Sequence, residues 1–71
     1  MNARRHTRFV REGSYAADVE VELIEEANGW SPYLSLDDAR KVDNVREALR
    51  RGDLEAASRL ARVFSLTPVQ H

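Results

Sequence analysis

The chain has 71 residues, of which 42% are hydrophobic and 32% charged, and it contains no cysteine. A chain of this length predicts one small domain over residues 1–71, with residues 1–5 as a flexible basic arm, and disulfides are excluded as its support. The two histidines, His6 and His71, lie near opposite ends of the sequence, so we expect no metal site and no cofactor. No apolar run approaches the length of a membrane span, and the basic start lacks the apolar region of a secretory signal. We therefore expect a cytoplasmic protein.

The formal net charge of −1 conceals three blocks of charge. Residues 1–12 sum to +3, residues 18–43 to −6, and residues 44–71 to +2. Basic ends therefore flank an acidic middle, and this distribution is the first indication of a binding surface.

The first half of the chain predicts antiparallel strands. Residues 7–12 form a short, partly apolar stretch that ends at Gly13-Ser14, which is typical of a strand closed by a turn. Residues 15–26 then alternate, with Tyr15, Ala17, Val19, Val21 and Leu23 on one face and Asp18, Glu20 and Glu22 on the other. If Phe9 pairs with Val19, Arg8 lies opposite Glu20, and the hairpin itself accounts for part of the charge segregation.

A third strand is expected at residues 30–35, after the Asn28-Gly29 turn signal. Pro32 cannot donate a ladder hydrogen bond, so this strand belongs at a sheet edge or carries a bulge.

The second half predicts two helices and a last strand. Ser35 is positioned to cap a helix that runs to about Arg51, and a break near residue 43 remains an alternative. Gly52 suits the end of that helix, and Asp53 suits the start of a second, shorter one. The alternation in residues 62–67 indicates a final strand.

These elements predict an α+β fold in two layers, a three-stranded antiparallel meander followed by two helices and a C-terminal strand (β-β-β-α-α-β). The expected core is apolar throughout and consists of Phe9, Val19, Val21, Leu23, Trp30, Leu34, Ala39, Val42, Val45, Leu49, Leu54, Leu60, Val63 and Leu66.

Residues for catalysis are scarce. No serine has a histidine nearby in sequence, and the three glycines are too far apart to form a phosphate loop. The acids of residues 18–22 have a sufficient explanation as the solvated face of a strand, and Asp37 and Asp38 as the first turn of a helix. We therefore expect a protein that is not an enzyme.

Two binding surfaces are candidates. Asp18, Glu20 and Glu22, with Glu25 and Glu26 beyond them, would meet a basic partner, and Trp30 and Tyr33 would anchor a strand added at the edge. The alternative is a nucleic-acid site built from Arg4, Arg5, Arg8, Arg50 and Arg51. The isoelectric point of about 6.1 is low for that alternative.

Three stretches, residues 8–13, 29–35 and 48–54, together resemble a group of small uncharacterised bacterial proteins. In topology the chain also resembles the N-terminal domain of HicB-type antitoxins, where strands precede a helix opened by a Thr/Ser-x-x-acid-Ala pattern, as in residues 35–39 here. That resemblance implies neutralisation of a small basic toxin by direct contact. The Pro-Gly loop of that family is missing before the helix, and we expect neither an appended DNA-binding segment nor operator binding. The sequence thus predicts an interaction protein that forms a homodimer or a complex with a basic partner.

Overall fold

The structure is a computed structural model and describes residues 2–25 and 32–69. The elements in chain order are β1 (Asn2–Glu12), β2 (Tyr15–Glu25), β3 (Tyr33–Leu34), α1 (Leu36–Arg51), α2 (Leu54–Leu60) and β4 (Arg62–Ser65). The predicted α+β class and the β-β-β-α-α-β order are confirmed. The predicted turn at Asn28-Gly29, Glu26 and Trp30 lie outside the described residues.

β1 and β2 form a long antiparallel hairpin in which Glu12 pairs with Tyr15. Only Gly13 and Ser14 connect the two strands, and Gly13 has a φ of +60°. A positive φ at the first of two loop residues is typical of a tight hairpin turn, and glycine reaches it without steric cost.

The predicted pairing of Phe9 with Val19 is wrong by one residue. Phe9 lies opposite Asp18, and Arg8 lies opposite Val19. A two-residue loop fixes this register, and a shift by one residue moves every side chain of a strand to the other face. β1 is also five residues longer than predicted, since residues 2–6 continue the strand, and residues 2–5 of these were expected to form an arm.

β2 is the central strand of the sheet. One of its edges pairs with β1, and the other pairs with β4 at residues 15–18 and with β3 at residues 23–24. Residues 19–22 of β2 lie between the segments that β4 and β3 cover. Of the third strand predicted at residues 30–35, β3 covers residues 33–34, and residues 30–31 lie outside the described part of the chain. β4 ends at Ser65 instead of residue 67.

The helices begin and end where capping chemistry predicts. The Ser35 hydroxyl accepts a hydrogen bond from the Asp38 amide at 3.1 Å, and the Asp53 carboxylate accepts one from the Ala56 amide at 3.1 Å. Gly52, at a φ of +74°, ends α1, and the Asp53 amide donates to the Ala48 carbonyl at 2.8 Å. α1 is one continuous helix, so the possible break near residue 43 does not occur.

The core lies between the sheet and the two helices. It consists of Val10, Ala17, Val19, Val21, Val42, Val45, Ala48, Leu49 and Ala57. Two of the predicted core residues are wrong, because Phe9 is 61% exposed and Leu60 is 39% exposed. Leu34, Leu54 and Val63 are partly buried and pack against this core, and Leu23 is half-buried.

Neither helix in the described part of the chain is long and apolar enough to cross a membrane.

Candidate functional site

The helices pack on one face of the sheet, and the opposite face is here called the open face. Side chains of paired residues point to the same side, so the pairing assigns each residue to a face. Val10, Ala17 and Val19 contact the helices. The open face therefore carries the other set, namely Ala3, Arg5, Thr7, Phe9 and Arg11 of β1, Ala16, Asp18, Glu20, Glu22 and Ile24 of β2, Tyr33 of β3, and Arg62 and Phe64 of β4.

Three of the predicted partner-binding residues form a row along β2 on the open face. Glu20 and Glu22 are exposed, and Asp18 is half-buried. Asp18 lies between Phe9 on β1 and Arg62 on β4, whereas Glu22 lies opposite Arg5. This row, residues 18, 20 and 22, is called the acidic row below.

Exposed aromatic side chains lie at both ends of the acidic row. Phe9 (61% exposed) and Phe64 (37%) are near Asp18, and Tyr33 (44%) is beside Ile24 at the other end. The Arg62 guanidinium lies over the Phe64 ring, 5.5 Å from its centroid. Tyr33 was predicted from the sequence, whereas Phe64 was missed and Phe9 was placed in the core.

The part of β2 between β3 and β4 contacts side chains of α1. The Glu22 amide donates to the Asp38 carboxylate at 2.8 Å, and the Lys41 ammonium donates to the Glu20 carbonyl at 3.0 Å. An open cavity of about 410 Å³ lies here, lined by Arg5, Glu20, Val21, Glu22, Ser35, Asp37, Asp38 and Lys41. Asp38 and Lys41 therefore satisfy backbone groups of β2 that no described strand covers.

The arginines of the nucleic-acid alternative do not form one surface. Arg4 pairs with Glu25 at 2.6 Å, whereas Arg50 pairs with Glu12 at 2.8 Å, at the other end of the hairpin. The hydrogen bond to Glu12, together with the negative charges of Glu12 and Glu47, raises the pKa of Arg50 above its ordinary value. Arg51 lies 3.8 Å from both Glu47 and Asp53.

Arg5 and Arg8 differ from the other three. Within residues 2–25 and 32–69 neither takes part in an ion pair. They point to opposite sides of the sheet, because Arg5 is on the open face and Arg8 lies opposite Val19. Among the same residues no group of three metal-ligating side chains is arranged to hold an ion.

No protein-family model, no curated protein and no solved structure matches the chain. The topological resemblance to antitoxin domains stays a prediction.

Proposed function

We propose that this is a non-enzymatic interaction protein that binds another protein through the open face. The single observation that carries the proposal is the combination of three exposed aromatic rings, Phe9, Phe64 and Tyr33, with the acidic row on a sheet face that no described element covers. Exposed aromatic side chains that share one surface are typical of protein interfaces.

The negative charge of the acidic row favours a partner with a basic surface. Two of its carboxylates, Glu20 and Glu22, are exposed, and Glu20 lies opposite Thr7, which carries no charge. A partner that presents basic side chains would complement this row, and such complementarity mainly sets specificity and the rate of association. The arrangement suits an antitoxin that neutralises a small basic toxin by direct contact.

A charge-reversal experiment tests the proposal. The wild-type chain is purified at low salt from the organism that encodes it, together with the products of the adjacent genes, and compared with a Glu20→Lys/Glu22→Lys variant. We expect a basic protein to accompany the wild type and to be lost from the double variant. Asp43→Lys, which reverses an exposed acid on α1, is the matched control and should retain the partner.

Two results would count against the proposal. The first is a wild-type chain recovered alone under these conditions. The second is a partner that is retained equally by the double variant and by Phe9→Ala.

Nucleic-acid binding is the second candidate, supported by the exposed Arg5 and Arg8, which have no ion pair among the described residues. Its affinity for a DNA or RNA duplex would fall steeply with salt concentration, because bound arginines release counterions from phosphates. A titration at several salt concentrations separates the two functions, since the open-face proposal expects no binding to either duplex at low salt.

A further inference from the structure

β1 has an outer edge that faces away from β2. β2 is the only strand that pairs with β1 within residues 2–25 and 32–69. The side chains of residues 3–9, seven in succession, are exposed on both sides of the strand. β1 is therefore a long edge strand with little of its surface in the core, and such edges are templates for pairing with another chain.

The contacts of β2 show which backbone groups of β1 point outward. The Glu22 amide and the Glu20 carbonyl contact α1, on the side of β2 away from β1. In an antiparallel ladder the residue opposite such a group also points its N–H and C=O away from the partner strand. Arg5 and Thr7 lie opposite Glu22 and Glu20, so their backbone groups lie on the outer edge. Because alternate residues of a strand point their backbone groups to the same edge, those of Ala3, Phe9 and Arg11 also lie on the outer edge.

The charge of β1 indicates what kind of strand fits this edge. β1 carries four arginines and one glutamate. On its inner side it pairs with the acidic β2, where Arg5 faces Glu22 and Arg4 forms an ion pair with Glu25. Opposite charges on adjacent strands are favourable, and like charges are not. A second acidic strand on the outer side would meet Arg5 and Arg8, which have no ion pair in the described part of the chain.

We propose that the outer edge of β1 binds an extended acidic segment of a partner protein as an added strand. The added strand would exchange main-chain hydrogen bonds with Arg5, Thr7 and Phe9, and its carboxylates would lie beside the arginines of β1. This proposal is independent of the open face, because it uses a strand edge and a partner of the opposite charge.

Amide exchange measured by NMR on the full chain tests it directly. The probe is a peptide of the length of β1 that alternates Thr and Glu, and the control peptide alternates Thr and Lys. We expect the acidic peptide to protect the amides of Arg5, Thr7 and Phe9, which point outward, while the amides of Arg8 and Val10 stay as they are in the free chain. Protection should weaken at higher salt, and the basic peptide should give none.

A backbone variant separates strand addition from simple charge attraction. Thr7→Pro removes one outward N–H, and Pro is tolerated on edge strands. It should lower the affinity for the acidic peptide about tenfold, whereas Thr7→Ala, which retains the N–H, should not. Arg5→Gln keeps the backbone intact and should lower the affinity and its salt dependence, so the test survives if the Pro variant fails to fold.

Three outcomes would overturn the proposal. One is an absence of amide protection with the acidic peptide at low salt. Another is protection of the same amides in the free chain at high concentration, which would show that two copies of β1 pair with each other. The third is self-association of Arg5→Gln/Arg8→Gln without peptide binding by the wild type, which would mean that the arginines only keep copies apart. A failure of the open-face experiment would leave this result unaffected.

Discussion

β1 and β2 have the same length and pair along all of it, yet their surroundings differ. β2 buries Ala16, Ala17, Val19 and Val21, whereas Val10 is the one residue of β1, among those whose burial is described, that is buried. The difference arises from position, because β2 has strands or helix side chains along both edges, whereas β1 is paired along one edge only, with β2, among the described elements. Pairing along the ladder therefore does not make a strand part of the core.

The division extends to charge. β2 combines a core face with the acidic row, whereas β1 carries arginines on both of its faces. In the hairpin, β2 therefore contributes most of the buried side chains, and β1 contributes most of the exposed ones.

The largest effect is expected where the two strands face each other at Arg8 and Val19, on the helix side of the sheet. Val19 is fully buried and Arg8 is exposed. Val19→Ala should lower the free energy of unfolding by about 2 kcal/mol, because it removes two methyl groups from the core and leaves a cavity. Arg8→Ala should change it by less than about 0.5 kcal/mol. Urea denaturation measures both, and equal losses would show that β1 is as much part of the core as β2.

The turn that joins the two strands should have the next largest effect. Gly13 has a φ of +60°, and a Cβ placed on it would meet no atom within 4 Å. The cost of Gly13→Ala is therefore conformational alone, about 1–2 kcal/mol in the free energy of unfolding. Ser14→Ala, at the neighbouring exposed position, should be nearly neutral in the same denaturation experiment. A neutral Gly13→Ala would mean that the hairpin register does not depend on this turn.

Features that depend on local chemistry could be predicted from the sequence, whereas the register of the hairpin could not. The helix caps, the alternation of β2 and the order of elements follow from local chemistry, and they were predicted correctly. The register did not follow from the pattern, because Phe9 and Val10 are adjacent apolar residues that point to opposite faces. The pattern favoured the larger residue, whereas the structure buries Val10 at 2% exposure and leaves Phe9 at 61%.

Some parts of the candidate site could be located from the sequence, and others depend on long-range strand pairing. The acidic row needs only the parity of β2, so the sequence located it. Tyr33 was expected as an exposed edge residue and is one. The place of Phe64 on the open face and the position of β1 at the sheet edge depend on which strands become neighbours. Long-range strand pairing leaves no signal in the local sequence. Small residues such as Ala48 and Ala57 were also missed as core, because their burial depends on how closely α1 and α2 approach.

A smaller effect on stability is expected at the edge of β2 away from β1, where the Asp38 side chain accepts a hydrogen bond from the β2 backbone. Asp38→Ala removes the acceptor of the Glu22 amide, so the free energy of unfolding should fall by about 1 kcal/mol and the exchange of that amide should accelerate. Asp37→Ala is the matched control, because Asp37 lies in the same first turn of α1 and is exposed. If both variants lose the same stability, the role of Asp38 is limited to the helix dipole, and the second edge of β2 is not held by α1.

The smallest effect on stability should come from the ion pair that joins β1 to β2 at the end of the hairpin away from the Gly13 turn. Arg4 and Glu25 lie 2.6 Å apart, but the Arg4 side chain is 61% exposed. Exposed pairs of this kind contribute about 0.2–1 kcal/mol, because water and salt screen the attraction and ordering two long side chains costs entropy. A double-mutant cycle of Arg4→Gln and Glu25→Gln should therefore give a coupling free energy of about 0.5 kcal/mol that declines in high salt. A coupling of several times that size, unaffected by salt, would mean that this end of β1 contributes to stability, and the division of labour between β1 and β2 would hold only toward the Gly13 turn.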